Sequence, residues 1–255
     1  MILNTRFSGC RVRALDLPAD QTAAFVLQFI AGSRMRILDV GCGNGLVARR
    51  LQDHGHIVVA IDESPDAVRT ARELGVTAIL ADWLSFEDDP FDMILFAASL
   101  HHIQPLGEAI EHAGRMLVPS GRVVVEDFAW EEIDPATAEW FFGIVRILAA
   151  GKLVEGDEQS FAAELARSGG DYSFWQERHD HELHTVQAMF TSLRTQFRPV
   201  NESVAPYLYR YLCPVLPQND KGYAIATQVL EMESRLAESG TISLIGHRFV
   251  GSPRV

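Results

Sequence analysis

The segment Asp39-Val40-Gly41-Cys42-Gly43-Asn44-Gly45 places a carboxylate two residues before the first of three alternating glycines. An apolar run precedes it and Leu46 opens an amphipathic stretch after it, so the pattern predicts a strand over Arg36 to Val40, a tight turn, and a helix from Leu46. Glycine has no Cβ, so backbone N–H groups and the helix N-terminus can approach a ligand closely. Many nucleotide ligands are held this way, and the glycines alone do not choose among them. Asp39 does: its carboxylate repels a pyrophosphate and attracts an ammonium or a sulfonium. The combination points to S-adenosylmethionine rather than a dinucleotide.

Two further acids fall in register with this turn. Asp62 ends the next apolar run, 21 residues after Gly41, where a carboxylate can accept from both hydroxyls of a ribose. Asp82 ends the third run and is followed by Trp83, an acceptor beside an aromatic ring, which suits adenine. Strand-end acids also serve as helix caps, and each of these carries that second reading. His101 and His102 follow the fourth run, where a group accepting the ligand's reactive end would arrive. Histidine titrates near neutral pH and can take a proton there. The plainer reading has one imidazole packing against the ligand and the other capping a helix.

Other residues invite chemistry more weakly. Cys42 reads as a small side chain that fits between glycines rather than as a nucleophile. In His179-Asp180-His181-Glu182-Leu183-His184, His181 and His184 would share a helix face, but no zinc spacing is present and a polar helix start is the expected reading. Tyr207, Tyr209 and Tyr211 alternate, which predicts one face of a strand packed against the preceding helices.

The elements that must position these residues alternate between strand and helix. A helix is expected from about Ala19 to Ala31, then strands at Arg36 to Val40, Ile57 to Ile61, Thr77 to Ala81, Phe91 to Ala97 and Arg122 to Phe128. Helices fill the gaps to about His54, Leu74 and Met116; Ser64-Pro65 is a cap followed by a first-turn proline. Short apolar strands separated by helices predict a Rossmann-like α/β fold, a mostly parallel seven-stranded sheet with helices on both faces. The carboxyl ends of its strands gather the residues above, and ligands bind at that edge. About 129 to 198 breaks the rhythm with aromatic-rich helices and reads as a lid inserted after the fifth strand. A strand from about Val200 to Leu212, a helix from Lys221 to Glu238 and an antiparallel last strand at the sheet edge, Thr241 to Val250, complete a single domain over 1–255.

The chain has a formal net charge of −12, with lysine only at 152 and 221, which disfavours a nucleic-acid partner. Its three cysteines, Cys10, Cys42 and Cys213, are widely spaced and suit a reducing, cytoplasmic setting. Neither a signal peptide nor a membrane-spanning run is evident. Whether the protein is a monomer or a homodimer is left open.

The set Asp39-to-Gly45, Asp62, Asp82-Trp83, Phe91-Asp92-Met93-Ile94, Ser99-Leu100-His101-His102-Ile103 and Leu117-to-Arg122, in order over about 30 to 128, resembles the class I S-adenosylmethionine-dependent methyltransferases. The resemblance implies that Gly41, Gly43 and Gly45 line the methionine and ribose, with Asp39 near the amino group. It implies that Asp62, with Glu63 beside it, holds the ribose hydroxyls. Asp82 and the Trp83 backbone would hold adenine, and Ala97 and Ala98 would face the methionine. The product would be S-adenosylhomocysteine, and the acceptor a small molecule methylated on O, N or C. Members that methylate amino groups of bases or glutamine carry an Asn/Asp-Pro-Pro-aromatic run that Ala97-Ala98-Ser99-Leu100 lacks. A protein that binds the cofactor without transferring methyl fits the same residues. A nicotinamide-dependent oxidoreductase shares the fold logic, but Asp39 and Asp82-Trp83 count against it, as does the lack of a third glycine at the dinucleotide spacing.

Overall fold

The computed structural model describes residues 12–30, 34–155, 160–179 and 183–254. Strands β1 (Arg36–Val40), β2 (Ile57–Asp62), β3 (Thr77–Leu80), β4 (Phe91–Ala97) and β5 (Leu117–Phe128) run parallel, and β6 (Phe197–Ala205) and β7 (Gly246–Pro253) complete a seven-stranded sheet. The order is β3-β2-β1-β4-β5-β7-β6. The last strand is antiparallel, as expected, but it lies between β5 and β6 rather than at the edge, which β6 occupies. Register between β4 and β5 jumps from Phe91–Leu117 to Met93–Arg122, so the Pro119-Ser120-Gly121 turn is accommodated as a bulge inside one long strand.

The strands read as continuous apolar runs because both faces of the sheet are covered. Ile37, Val58, Ala60, Met93, Leu95 and Val124 face helices α1 (Asp16–Leu27), α2 (Leu46–Asp53) and α3 (Pro65–Glu73). Leu38, Val40, Ile61, Ile94, Phe96, Val123 and Val125 face α4 (Leu106–Met116) and α8 (Val186–Gln196). Successive residues of a strand point to opposite faces, which is why the two sets interleave in sequence.

Between β5 and α8 lie α5 (Pro135–Ala150), α6 (Phe161–Ser168) and α7 (Tyr172–His179). These share an aromatic-rich core with α9 (Tyr209–Leu212) and α10 (Asp220–Glu238). Helix α8 falls within the stretch read as a lid, yet it packs on α4, β6 and β7 over the sheet. The expected strand over 200–212 ends at Ala205, and the three tyrosines do not alternate along it. They follow it into α9, where Glu233 of α10 accepts hydrogen bonds from the amides of Tyr207, Leu208 and Tyr209 at 2.7, 3.0 and 3.1 Å. All three tyrosines nevertheless pack in that aromatic-rich core.

One buried ionic cluster ties four elements together. Glu126 of β5 bonds to Arg210 of α9 (2.8 Å), Arg248 of β7 (2.6 Å) and the hydroxyl of Thr22 in α1. Burial opposes its ionisation, but Arg210, Arg248 and the Thr22 bond outweigh it and hold the carboxyl below the usual range. A carboxylate with a lowered folded value contributes stability that is complete above its unfolded value and lost as pH falls through the folded one. Glu126→Ala leaves two guanidinium groups without their buried partner and is expected to destabilise the protein by about 3–5 kcal/mol. Urea denaturation at pH 7 reads this directly, and a change within experimental error would show that solvent already screens the cluster.

Candidate active site

The glycines of the turn differ in what surrounds them. Gly41 (φ +68°) lies against Ser99, where an added Cβ would come within 2.6 Å of the serine Cβ. Gly45 (φ +76°) opens α2, and its Cβ would meet Ala71 of α3 at 2.6 Å. Gly43 (φ +52°) has nothing within 4 Å. Two glycines are therefore required by packing, and the middle one leaves the turn open on the side a ligand would approach. The loop is pinned by amide bonds from Gly41 and Cys42 to the Ile61 carbonyl, 2.9 and 3.0 Å. Ser99, which the sequence did not single out as a site residue, donates to the Val40 carbonyl at 2.6 Å and closes the turn against the end of β4.

Asp39, the next-to-last residue of β1, is 1% exposed, and neither carboxyl oxygen finds a hydrogen-bond partner among the described residues. Burial, followed by repulsion from Asp62, raises its pKa to about 7; the Ala48 amide of α2 pulls weakly in the opposite direction. A buried carboxylate left in this state is costly unless a cation completes it. Cys42 is pushed far above the usual thiol range by burial and by the charges of Asp39 and Asp62, which fits a space-filling role.

Asp62 does more than the sequence suggests. Its two oxygens accept from the Gly43 amide at 2.8 Å and from the Ser64 amide at 2.9 Å, so it shapes the glycine loop and the start of α3. Asp82 accepts from the Ser85 amide at 2.9 Å and caps a short 3-10 turn, Trp83–Ser85. The side chain of Asp82, then burial and repulsion from Asp82 and Asp62, raise the pKa of exposed Glu63. The Trp83 side chain is turned away from this edge. Its indole N–H donates to the Ala109 carbonyl at 3.1 Å and its ring packs edge-on to Phe96 and His112, so only its backbone borders the site.

Ala97 is aligned with Glu126 across the β4–β5 ladder. Ala98 turns the chain with φ +54°, its amide bonded to the Glu126 carbonyl at 2.8 Å, and touches the aromatic-rich core of α5–α7. Beyond this turn the two histidines separate. His102 is exposed, whereas His101 is buried with its ring 4.1 Å from that of His102. His101 Nδ1 lies 2.7 Å from Asp127 Oδ1, and its amide donates to Oδ2 at 3.2 Å. Asp127 was not singled out as a site residue; the available signal was a second acid after Glu126 in an otherwise apolar strand. A carboxylate on Nδ1 fixes the proton there and leaves Nε2 as the basic nitrogen.

The His179–His184 run forms no joint ligand set among the described residues. His179 Nε2 meets the Tyr211 hydroxyl at 2.9 Å, while His184 Nε2 meets the Ile103 carbonyl at 3.0 Å. Cys10, Asp180, His181 and Glu182 lie outside the described residues.

The chain is similar to known methyltransferases in sequence and in fold. Residues 38–125 match the family described as a methyltransferase domain. An uncharacterized methyltransferase of Schizosaccharomyces pombe is 33% identical over 141 residues, 51% of this chain and 54% of that protein. The 27-O-demethylrifamycin SV methyltransferase of Amycolatopsis mediterranei is 30% identical over 145 residues, 52% and 53% of the respective chains. The chain thus spans about half the length of the curated relatives it matches. The solved geranyl diphosphate C-methyltransferase of Streptomyces coelicolor shares the fold, with TM-score 0.57, 15% identity and coverage of 92% of this chain and 76% of that one. Residues 38–125 thus resemble a methyltransferase domain, and the cofactor of that class is S-adenosylmethionine.

The open Gly43 cradle and the partnerless Asp39 fit that cofactor, whose methionine end carries an ammonium and a sulfonium. Two experiments probe the fit. Gly43→Ala is expected to keep most of the stability, losing about 1 kcal/mol to its left-handed backbone, while S-adenosylhomocysteine binding measured by calorimetry falls sharply. Gly41→Ala is expected to lower thermal stability as well, and equal behaviour of the two variants would contradict the distinct roles. For Asp39, a folded pKa raised above the unfolded one means stability that is complete below pH about 3.8 and lost as pH rises through about 7. Asp39→Asn is expected to stabilise the ligand-free protein at pH 8 by about 2–4 kcal/mol while weakening S-adenosylmethionine binding. In the wild type that binding is expected to tighten from pH 6 to 8, and a flat profile would count against Asp39 at the cofactor's cationic end.

Proposed function

We propose that the protein transfers the methyl group of S-adenosylmethionine to a small-molecule acceptor, with His101 as general base and Asp127 as the group that orients it. The carrying observation is the arrangement around Ala97–Ala98. On one side a buried, partnerless carboxylate underlies an open glycine cradle; on the other a buried histidine is held by an aspartate through Nδ1. When bound, the cofactor supplies a methyl group already activated on sulfur. The chain's own residues then have to hold, exclude water and move one proton.

In this reading Gly41, Gly43 and Gly45 line the methionine and ribose and Asp39 takes the ammonium. Asp62 keeps its bonds to Gly43 and Ser64 and uses its remaining lone pairs on the ribose, with Glu63 alongside. Asp82 and the Trp83 backbone border adenine, and Ala97 and Ala98, having no bulk, let the reactive end approach β4. Alignment of donor and acceptor supplies most of the rate, roughly 7–11 kcal/mol for well-oriented partners. His101 Nε2 removes the acceptor's proton as the new bond forms, and Asp127 stabilises the imidazolium that results. The neighbouring lid core, built from Phe128, Phe141, Phe161, Trp175 and Tyr211, favours a largely apolar or aromatic acceptor. The acidic chain favours a small molecule over nucleic acid, and the widely spaced cysteines favour the cytoplasm.

Calorimetric titration with S-adenosylhomocysteine, with NADH as control, tests the cofactor. Radiolabelled S-adenosylmethionine with panels of phenols, carboxylic acids and amines tests transfer. Binding of neither nucleotide would overturn the reading. His101→Gln and Asp127→Asn are each expected to reduce turnover by about 10²–10⁴-fold with cofactor affinity retained. Full rate in both would exclude the histidine base.

A further inference from the structure

The turn that follows β4 crosses from one core to another. Ala98 packs against the aromatic-rich core, while Leu100 is fully buried in the core that also holds Val40 and Phe96. Between them stands Ser99, itself buried. The ladder between β1 and β4 has its last register pair at Val40 and Phe96, and beyond it the Ser99 hydroxyl donates to the Val40 carbonyl at 2.6 Å. Contact continues at the next residue, where a Cβ added to Gly41 would fall 2.6 Å from the Ser99 Cβ. Ser99 therefore touches both the last residue of β1 and the first of the glycine loop.

On its other side Ser99 belongs to the turn that carries His101. Its carbonyl accepts the His102 amide at 3.1 Å, and Asp127 Oδ2 accepts the His101 amide at 3.2 Å. Ala98 enters this turn in the left-handed region, φ +54°, a conformation that alanine keeps only where its neighbours hold it. One residue before Val40 lies Asp39, buried, without a partner for either oxygen and repelled by Asp62. A buried carboxylate in that state disfavours the closed end of β1 until a cation completes it. The unsatisfied charge and the left-handed alanine are thus joined through two backbone residues and one hydroxyl.

Resting on the methyl-transfer reading, we propose that Ser99 couples the two halves of the site: the cofactor's ammonium, on reaching Asp39, fixes the end of β1, and the hydrogen bond from Ser99 to Val40 passes this to the turn and sets the place of His101. In the empty protein the turn opens about Ala98 and frees the His101 and His102 amides; in the occupied protein it is held shut. The proposed base then takes its final position only when a methyl donor is present. The coupling is reciprocal, so a turn held shut also favours the cofactor. Ser99 is a positioning residue, because it acts through His101 and touches neither cofactor nor acceptor.

Amide hydrogen exchange, read by NMR on the full chain, tests this with two probes. S-adenosylhomocysteine carries the ammonium; methylthioadenosine keeps adenine, ribose and sulfur but has neither ammonium nor carboxylate. Saturating S-adenosylhomocysteine is expected to slow exchange at His101 and His102 in the wild type by roughly three- to tenfold, the worth of one neutral hydrogen bond. Saturating methylthioadenosine is expected to leave both amides unchanged. In Ser99→Ala the two amides should exchange faster without ligand, and S-adenosylhomocysteine should no longer slow them, although it still binds and still protects the Gly43 amide. A structural serine would speed exchange without removing the response to ligand. Slowing that persists in Ser99→Ala, or that methylthioadenosine produces equally, would overturn the inference while leaving methyl transfer intact. The comparison of the two ligands on the wild type decides the matter even where Ser99→Ala does not fold. Failure of S-adenosylhomocysteine to bind the wild type would overturn the methyl-transfer reading and this one with it.

Discussion

The chain must leave β1 and enter α2 within five residues while keeping its backbone bare toward the sheet edge, and the other features of the site depend on this. Gly41, Gly43 and Gly45 all take left-handed backbone angles there, a conformation costing other residues roughly 1–2 kcal/mol each. The turn is held from outside rather than by its own contacts. The Ile61 carbonyl and the Asp62 carboxylate of β2 anchor its amides, and Ser99, two residues beyond β4, closes it against Gly41. The cradle thus forms only when β1, β2 and β4 are already paired, and the local sequence and the sheet order specify it jointly.

That arrangement concentrates negative charge. Asp39, Asp62, Glu63 and Asp82 border one edge, and at Asp39 and Glu63 proton affinity rises accordingly. Asp39 works against folding in the ligand-free chain at neutral pH, since half-ionised burial has no local compensation. The same energy is recovered when a cation arrives, so stability forgone in the empty protein reappears as affinity. A nucleotide with a pyrophosphate would meet the opposite outcome. This contrast argues for a sulfonium cofactor more strongly than the glycine spacing does.

The first half of the fold was legible because its strands are buried on both faces and its helices carry local signals. The Ser64-Pro65 start, for example, is realised as a Ser64 hydroxyl accepting the Ala67 amide. Where the reading departed from the structure, the deciding contact was distant. Alternating tyrosines at 207, 209 and 211 look like a strand, but Glu233, more than twenty residues away on α10, caps their amides and turns them into α9. Trp83 beside Asp82 looks like an adenine platform, but the pocket formed by Phe96, His112 and Ala109 takes the indole inward. The position of β7 between β5 and β6 likewise follows from which strand pairs with β5, which no local pattern states. Of the two histidines, only the fold reveals which one has an aspartate behind it.

Three consecutive residues of β5 show how the site is held together. Alternation along a strand sends Glu126 and Asp127 to opposite faces. Glu126 meets Thr22 of α1, Arg210 of α9 and Arg248 of β7; Asp127 meets His101 in the turn after β4. Phe128 ends β5 and stacks on Tyr207 at 4.7 Å, entering the aromatic-rich core. Arg210 lies between Tyr209 and Tyr211, on a segment whose other anchor is the carboxylate of Glu233. The aromatic core and the proposed base are therefore referenced to the same strand, one through an ion pair and the other through a hydrogen bond. A shift of β5 would displace both together, so the distance between the imidazole of His101 and the aromatic rings is set by the sheet.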